Sequence, residues 1–401
     1  MNFSILRKVF LIFPAALCVL AIRMLRPFVT IRLRSLDISR IGLLYHADWY
    51  LCGCKFQKKG IRYLDVFFFS TLNGVICNSQ WLTMWKRVLR VTPFGTFWNL
   101  VTKLSKILPN HAPHSLPMEN ISHRTLGNQR EHLELILTCK TSHIFFTPKE
   151  EIYGQKALEE LGVPAAQPFV CFHARDSAYL DFVYPERSWN YHDFRDSDIN
   201  NYVDSAEELA KCGYHMIRMG AIVKDKVNFC HEAIIDYAKS GKRTDFLDIY
   251  LGANCKFFIC SQTGISIVPE VFRCPLVYVN WSALEQLPVF VQNGLIIPKK
   301  LYSRKNNCFL TFDEILNSGI GIFYDTKQFE QLEIDLIENT PKEITSVAME
   351  MHHRLSGTWT STDEDEDLQQ RFWALFGPNH SKSPELRIGA KFLRENKNLL
   401  N

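Results

Sequence analysis

An arginine between a histidine and an aspartate follows a buried strand expected near the middle of the chain. The stretch Phe169 to Asp181 starts with four mostly apolar residues suited to a strand and continues with His173, Arg175 and Asp176. The carboxyl ends of parallel strands are where open α/β sheets bind ligands, so this position favours a binding role. Because a guanidinium binds carboxylate or phosphate through paired hydrogen bonds, the expected ligand is an anion.

Polar groups also follow the next two predicted strands. Arg218 and Gly220 come at the end of a strand over Tyr214 to Met219, and a Ser-Gln-Thr-Gly turn follows a strand over Lys256 to Cys260. Neighbouring parallel strands end at one sheet edge, so these groups and Arg175 can converge on one ligand. Arginine and the backbone N–H groups at a helix start suit a diphosphate. The candidates in and after the turn are Ser261, Thr263, Gly264, Ser266 and Glu270.

Each of these elements also has an ordinary structural explanation. An Arg-Asp pair often caps a strand or helix, a Ser-Gln-Thr-Gly turn often only joins a strand to a helix, and Arg218 could form an ion pair at the sheet edge. Asp248 and Glu270 are candidates for binding ribose or sugar hydroxyl groups. Three anion-binding strand ends in one register favour the binding interpretation.

The chain has the length and composition of a folded protein with two domains. Its 401 residues are too many for one ordinary hydrophobic core. Its content of 47% hydrophobic and 22% charged residues is typical of globular proteins. The β-α-β-α-β succession from Phe169 to Asn280 predicts an α/β fold with a doubly wound parallel sheet. The predicted parts are a membrane-associated segment 1–35, a Rossmann-like domain 36–165, a second Rossmann-like domain 166–345 and a helical segment 346–401.

Local patterns predict further elements. The strands predicted in the first half of the chain are Ile41 to Tyr45, Leu64 to Ser70, Gly74 to Cys77 and Ser142 to Thr147. The predicted helices are Trp81 to Val91, Pro148 to Leu161, Phe229 to Lys239, Phe246 to Leu251 and Leu368 to Phe376. The acidic run Asp363 to Asp367 is interpreted as a solvated stretch, and residues 106–130 as a surface connection.

The N-terminus holds the positive charge of the chain. Residues 1–40 contain seven basic residues and one acid, a local net charge of +6, whereas the whole chain carries +4 and the other 361 residues therefore −2. A nucleic-acid-binding surface is thus a poor explanation of the basicity. Val9 to Ile22 is uncharged but contains Pro14 and is shorter than the ~20 residues of a bilayer span. Monotopic or re-entrant attachment to the membrane is the preferred interpretation, with a single tilted span and a buried helix of a soluble protein as alternatives.

The twelve cysteines do not indicate a disulfide scaffold or a metal site. Most stand singly in apolar contexts, which is typical of reduced intracellular cores. Cys52-Gly-Cys54 is the one close pair, and it lacks a second pair or a histidine at ligand spacing. Asp196-Ser-Asp198 is better explained as a helix cap than as a metal motif. We predict no metal and no bound cofactor.

Ten short motifs spread over the chain belong together. They are Arg40-Ile-Gly-Leu, Asp48-Trp-Tyr-Leu, Asn78-Ser-Gln, Trp85-Lys-Arg, Phe169 to Asp176, Asp193-Phe-Arg-Asp-Ser-Asp-Ile, Gly213 to Gly220, Asp245-Phe-Leu-Asp, Ser261-Gln-Thr-Gly and Gly389-Ala-Lys-Phe-Leu. Through them nearly the whole chain after the N-terminal segment resembles a family of bacterial glycosyltransferases encoded among surface-polysaccharide genes. The resemblance implies a GT-B architecture of two Rossmann-type domains, a nucleotide-diphosphate sugar as donor and a glycan or lipid-linked acceptor. It also implies that arginine and backbone donors, without a metal, stabilise the leaving diphosphate. We expect the protein at the cytoplasmic face of the cell membrane, as a peripheral or monotopic protein.

His173-Ala-Arg175 is more distantly similar to the His-x-Arg motif of transferases that use GDP-fucose. In those enzymes the arginine binds the donor diphosphate, which implies that role for Arg175, with His173 and Asp176 positioning it. Asp176 departs from the motif, where a basic or small residue often follows the arginine. GDP-fucose is therefore one donor among several.

An inverting transfer also needs a general base near the acceptor hydroxyl. His46 and Asp48 follow the first strand predicted in the N-terminal domain, and in a GT-B fold that loop faces the cleft. The alternative, given equal weight, is that His46 is a buried histidine and Asp48 a helix cap. A non-catalytic nucleotide-binding or scaffold subunit, or a pyruvyl or phosphosugar transferase on the same fold, remain the alternative functions.

Overall fold

The computed structural model describes residues 3–54, 62–72, 74–109, 130–227, 229–377, 380 and 382–401, and for residues 3–9 and 130–132 the backbone alone. The chain divides into two compact units. The first comprises residues 1–121 with 142–145, and the second comprises residues 122–141 with 146–401. Most of the connection predicted over residues 106–130 lies outside the described residues.

The first unit is built on a parallel sheet of the order β1-β2-β3. Its strands are β1 Thr30–Asp37, β2 Tyr63–Ser70 and β3 Val91–Thr92, and its helices are α1 Phe3–Met24, α2 Tyr45–Cys54, α3 Ser79–Val88 and α4 Gly95–Ile107. The core under α1 and α4 contains Ala15, Val19, Ile22, Leu33, Phe68 and Val101. None of the described helices combines the length and apolar character that a membrane crossing requires.

Several predictions for the first unit were wrong. The run predicted as a strand at Ile41 to Tyr45 is a 3-10 turn leading into α2, and the runs Gly74 to Cys77 and Ser142 to Thr147 form no strand. The first strand is instead β1. It lies within residues 1–40, which the sequence analysis had described only by their net positive charge. Arg32 is accommodated there because its guanidinium forms a buried ion pair with Asp65 at 2.5 Å, on the neighbouring strand β2.

The second unit contains a parallel sheet of seven described strands in the order β13-β9-β8-β7-β4-β5-β6. These are β4 Phe169–His173, β5 His215–Arg218, β6 Ile234–Ile235, β7 Phe258–Cys260, β8 Leu276–Trp281, β9 Gly294–Pro298 and β13 Leu386–Ile388, and a small antiparallel sheet holds β10 Lys300–Ser303, β11 Cys308–Phe309 and β12 Ile334–Ile337. The helices are α5 Arg130–Thr138, α6 Pro148–Leu161, α7 Ala178–Val183, α8 Val203–Lys211, α9 Asp245–Asn254, α10 Ile267–Phe272, α11 Phe312–Asn317, α12 Thr326–Gln331, α13 Pro341–Leu355, α14 Asp363–Ala374 and α15 Ala390–Glu395.

The α/β class is confirmed, and the sheet of the second unit holds the strands predicted from Phe169 to Asn280. Helix α6 begins at a capping box of Thr147 and Glu150 and ends at Gly162, whose φ of 98° favours glycine. The prediction of a helix over Phe229 to Lys239 was wrong. Ile234 in that stretch is buried and belongs to strand β6, which pairs with β5. The acidic run after Thr362 was also misjudged, since it forms the capped first turn of α14.

Candidate functional site

The order of the strands reverses at β4. The chain moves outward from β4 to β5 and β6, returns to β7 on the other side of β4, and then continues outward to β8 and β9. Open α/β sheets bind ligands in the crevice at the carboxyl ends of the strands beside such a reversal. In this unit the crevice lies between β4 and β7, so it falls among the residues that follow these two strands.

Arg175 follows β4 and is held from both sides of this crevice. Its backbone N–H donates to the Oγ of Ser261 at 2.9 Å, and its carbonyl accepts from the N–H of Ser197 at 3.0 Å. The side chain is buried and forms an ion pair with Asp196. Nη1 is the nitrogen in this ion pair, whereas Nη2 makes no hydrogen bond within the described part of the chain. Arg175 is thus a fixed, buried cation with hydrogen-bonding capacity left over.

The side chains on either side of Arg175 serve their own loops. His173 donates from Nδ1 to the carbonyl of Met219 at 2.9 Å in the tautomer that fits this acceptor, and burial lowers its pKa, which favours the neutral ring. Asp176 accepts hydrogen bonds from the N–H groups of Ala178 and Lys224, both at 3.0 Å. The contact with Arg175 that was expected of these two residues is made by Asp196 instead.

Arg218 has an internal partner on each side of its guanidinium. Nη1 donates to Asp236 at 3.0 Å and Nη2 to the carbonyl of Asp225 at 2.8 Å, and the residue is only 2% exposed. The structure therefore favours the edge ion pair over the phosphate ligand. Gly220, two residues on, has a φ of 152°, and a Cβ there would lie 2.4 Å from a methyl carbon of Val223. Its conformation and its surroundings both require glycine.

We expect Arg218→Met to destabilise the second unit without a direct effect on ligand contacts. Removing one partner of a buried ion pair typically costs about 3–5 kcal/mol, because the remaining carboxylate, here Asp236, keeps its desolvation penalty. Urea unfolding monitored by tryptophan fluorescence measures the loss. Arg218→Met with Asp236→Leu should recover much of it. A variant of unchanged stability that loses anion affinity would return Arg218 to the binding site.

The turn after β7 is divided between internal and outward-facing groups. Ser261 is fully buried and accepts from Arg175, and Ser266 donates to the carboxylate of Glu270 at 2.9 Å. Tyr278 donates to the same carboxylate at 2.5 Å. Thr263 is partly exposed and Gly264 exposed, so of the predicted turn residues these two are open to a ligand. The helix after the turn, α10, has only six residues.

Asp248 is likewise committed to the protein interior. Its carboxylate accepts from the hydroxyl of Tyr237 at 3.0 Å and from Arg243 at 2.6 Å. Burial raises its pKa to about 6, and Arg243 opposes that rise. The ribose-binding role predicted for Asp248 therefore has no support in its contacts, which tie the start of α9 to the preceding loop.

Lys299 is a buried cation that the sequence analysis missed. It follows β9, is 6% exposed, and donates from Nζ to the carbonyls of Asp196 at 2.7 Å and Phe194 at 3.3 Å. Among the described residues no carboxylate lies within ion-pair distance of it. Burial lowers its pKa to about 8, Glu338 opposes this, and Arg175 adds to it. Lys299 and Arg175 therefore interact electrostatically across one short segment of chain.

That segment, residues 194–198, is named here the crossing segment. Besides its bonds to Arg175 and Lys299, it accepts at the carbonyl of Phe194 from Ser282 at 2.9 Å. Asn280 donates from its side-chain amide to Ser197 at 2.7 Å and is held in a left-handed conformation, with φ of 56°. The crossing segment is thus hydrogen-bonded to the ends of β4, β8 and β9. Applying the strand-end rule to β8 and β9 would have found Asn280 and Lys299.

Few carboxylates contact the buried cations at this edge. Arg175 and Lys299 are both buried, and the one carboxylate in ion-pair contact with either of them within the described residues is that of Asp196. Three further aspartates interact with Arg175 at longer range, and Glu338 does so with Lys299. An anion in direct contact with the two cations would offset part of their desolvation cost.

The two candidate bases lie on α2 of the first unit. His46 stacks on Tyr45, with 3.8 Å between ring centroids, and is partly exposed. Asp48 is buried, and its carboxylate lies 3.1 Å from Nδ1 of His143, in the same unit. A carboxylate in this position orients an imidazole and fixes its tautomer. No pattern in the sequence indicated His143, which is 95 residues away from Asp48. A role of His46 and Asp48 in proton transfer stays a prediction.

Comparison with known proteins gives only distant likenesses. No model of a known protein family matches the chain, and no curated protein matches it. ADP-heptose LPS heptosyltransferase II of E. coli aligns over 66% of this chain and 90% of its own at 12% identity and a TM-score of 0.36. A family 9 glycosyltransferase of Veillonella parvula aligns over 67% and 86%, at 8% identity and a TM-score of 0.39.

A third structure belongs to a different class of enzyme. UDP-GlcNAc 2-epimerase of Neisseria meningitidis, bound to UDP-GlcNAc, aligns over 82% of this chain and 100% of its own, at 12% identity and a TM-score of 0.30. Likenesses at this level assign neither a family nor a reaction to the chain.

Proposed function

We propose that the protein is a glycosyltransferase that takes a sugar from a nucleotide-diphosphate donor. The observation that carries this proposal is Arg175, a buried guanidinium beside the strand-order reversal of a parallel sheet, whose Nη2 makes no hydrogen bond to the described residues. A diphosphate fits such a group in charge and in hydrogen-bonding geometry. The resemblance to bacterial surface-polysaccharide transferases supports the same donor class and a glycan or lipid-linked acceptor.

In the proposed reaction the bond between the anomeric carbon and the diphosphate breaks, and the acceptor oxygen forms the new bond. Negative charge grows on the leaving diphosphate, and Arg175 stabilises it with the nearby charge of Lys299. These cations suit a reaction that needs no metal. The acceptor proton passes to a general base, for which we propose His46 or Asp48. The enzyme is proposed to work at the cytoplasmic face of the cell membrane.

A non-catalytic nucleotide-binding subunit is the main alternative. It would retain Arg175 and the sheet but would not turn over a donor. A pyruvyl or phosphosugar transferase would also bind an anion at this edge. A pyruvyl donor would carry neither nucleotide nor sugar and would release inorganic phosphate, whereas a phosphosugar transferase would release the nucleoside monophosphate. These functions therefore differ in what they bind or in what they release.

Calorimetric titration with UDP, GDP, ADP and their monophosphates tests the proposal first. We expect one diphosphate to bind more tightly than its monophosphate, because the second phosphate adds charge at Arg175. The sugar nucleotides of the bound base are then incubated with the protein, and release of the free nucleotide is followed. Failure of all three diphosphates to bind would reject the donor site, and binding without release on any acceptor tested would favour the scaffold.

A further inference from the structure

Helix α1 has two apolar faces, and only one of them is covered. Ala15, Val19 and Ile22 are buried in the core of the first unit. On the opposite side, large apolar side chains recur at spacings of three and four residues, which places them in one row along the helix. This row, named here the outer stripe, comprises Phe10, Phe13, Leu17, Leu20 and Met24, with exposed fractions of 77%, 72%, 51%, 54% and 77%.

The outer stripe is unusual for a protein surface in contact with water. Five large apolar side chains follow one another over about 21 Å of helix, at 1.5 Å per residue. Phe28 continues the apolar surface just beyond the helix end and is 76% exposed. Single exposed apolar residues need no explanation, but a contiguous patch of this kind marks an interaction surface.

The charge around the stripe indicates the kind of partner. Neither α1 nor α4 contains an aspartate or glutamate. Arg26, Lys103 and Lys106 are exposed. Arg23 donates to the carbonyl of Pro109 at 2.9 Å, which ties the end of α1 to the segment after α4. An apolar stripe on a pair of helices whose charged residues are all basic matches the interface of an anionic lipid bilayer, where acyl chains lie next to negatively charged headgroups.

We propose that the outer stripe docks in the plane of an anionic membrane surface, with α1 lying along the interface. The helix cannot leave the first unit to cross the bilayer without exposing Ala15, Val19 and Ile22, which its core requires. In-plane binding instead buries the stripe and leaves the inner face in place. The inference does not depend on the proposed reaction, because all its residues belong to the first unit.

Vesicle flotation with the full chain tests this surface. Vesicles are made of phosphatidylcholine alone and with phosphatidylglycerol added, and the bound fraction is measured by quantitative gel. Phe13→Ser with Leu17→Ser should reduce partitioning at least tenfold on both kinds of vesicle. The matched control is Ile152→Ser with Phe182→Ser, two residues of the second unit exposed by 70% and 73%. This control should partition like the unmodified protein.

A charge variant separates the electrostatic contribution to vesicle binding from the apolar contribution of the outer stripe. Lys103→Ser with Lys106→Ser should weaken binding to phosphatidylglycerol vesicles by roughly fivefold per lysine and leave binding to phosphatidylcholine unchanged. Far-ultraviolet circular dichroism and thermal melts confirm that each variant is folded. Equal flotation of the stripe variant and the control overturns the proposal, as does absence of flotation of the unmodified protein. A dimer that the stripe variant converts to a monomer would also overturn it, in favour of a second copy.

Discussion

Arg175→Met should weaken binding of the nucleoside diphosphate roughly 10- to 150-fold, while the monophosphate loses less. A hydrogen bond to a charged group is worth about 1.5–3 kcal/mol, and Nη2 of the buried Arg175 guanidinium has no hydrogen bond in the described part of the chain. Its remaining partner, Asp196, has a side chain 32% exposed, so water can solvate the carboxylate after the substitution. Calorimetric titration measures the change.

The control for this prediction is Arg304→Met, also in the second unit. Arg304 is 55% exposed and forms an ion pair with Asp335 at 3.5 Å, so its loss should change the dissociation constant less than twofold. Arg175→Lys should recover part of the affinity, because an ammonium keeps the charge but not the paired donors. Equal affinities for Arg175→Met and Arg304→Met would remove Arg175 from the donor site.

Lys299→Met should abolish a rise in stability that the unmodified protein shows at alkaline pH. Burial lowers the pKa of Lys299 to about 8 in the fold, against the ordinary value of 10.5 for a lysine in water. Between these values the unfolded chain keeps a proton that the folded chain has lost, so raising the pH favours folding. The gain amounts to about 3 kcal/mol at most, at 1.36 kcal/mol for each pH unit.

Urea unfolding at pH 7.5 and again near pH 10 measures this gain, and the difference between variant and unmodified protein isolates Lys299 from other titrating groups. Lys300→Met is the matched control, because Lys300 is the next residue and forms an ion pair with Glu343 at 3.0 Å. The same Lys299 variant should bind the diphosphate less tightly at pH 7, where the ammonium is charged. A stability difference that stays constant with pH would contradict the buried ammonium.

The strand-end rule predicted Arg175 because the needed information is local. An apolar run followed at once by a histidine, an arginine and an aspartate defines both the strand and the group at its end. The same rule was misleading at Arg218, whose partner Asp236 lies 18 residues farther along the chain. Whether an arginine at a strand end faces a ligand or a carboxylate depends on the path of the following loop, and the sequence pattern does not contain that path.

Long-range partners also explain what the sequence did not show in the first unit and at β9. Arg32 looked like part of a basic tail, but its pairing with Asp65 lets it lie in strand β1. Lys299 lay beyond the last strand recognised, and its importance comes from the carbonyls of the crossing segment, about 100 residues earlier in the chain. The apolar run of α1 was recognised from the sequence, but the division into a buried and an exposed face required the fold.

A crystal structure of the full chain with the tightest-binding nucleoside diphosphate tests the central claim most directly. The diphosphate should lie at the carboxyl ends of β4 and β7, with its oxygens within hydrogen-bond distance of the Arg175 guanidinium. A well-ordered diphosphate bound elsewhere, with Arg175 still paired with Asp196 alone, would contradict the account.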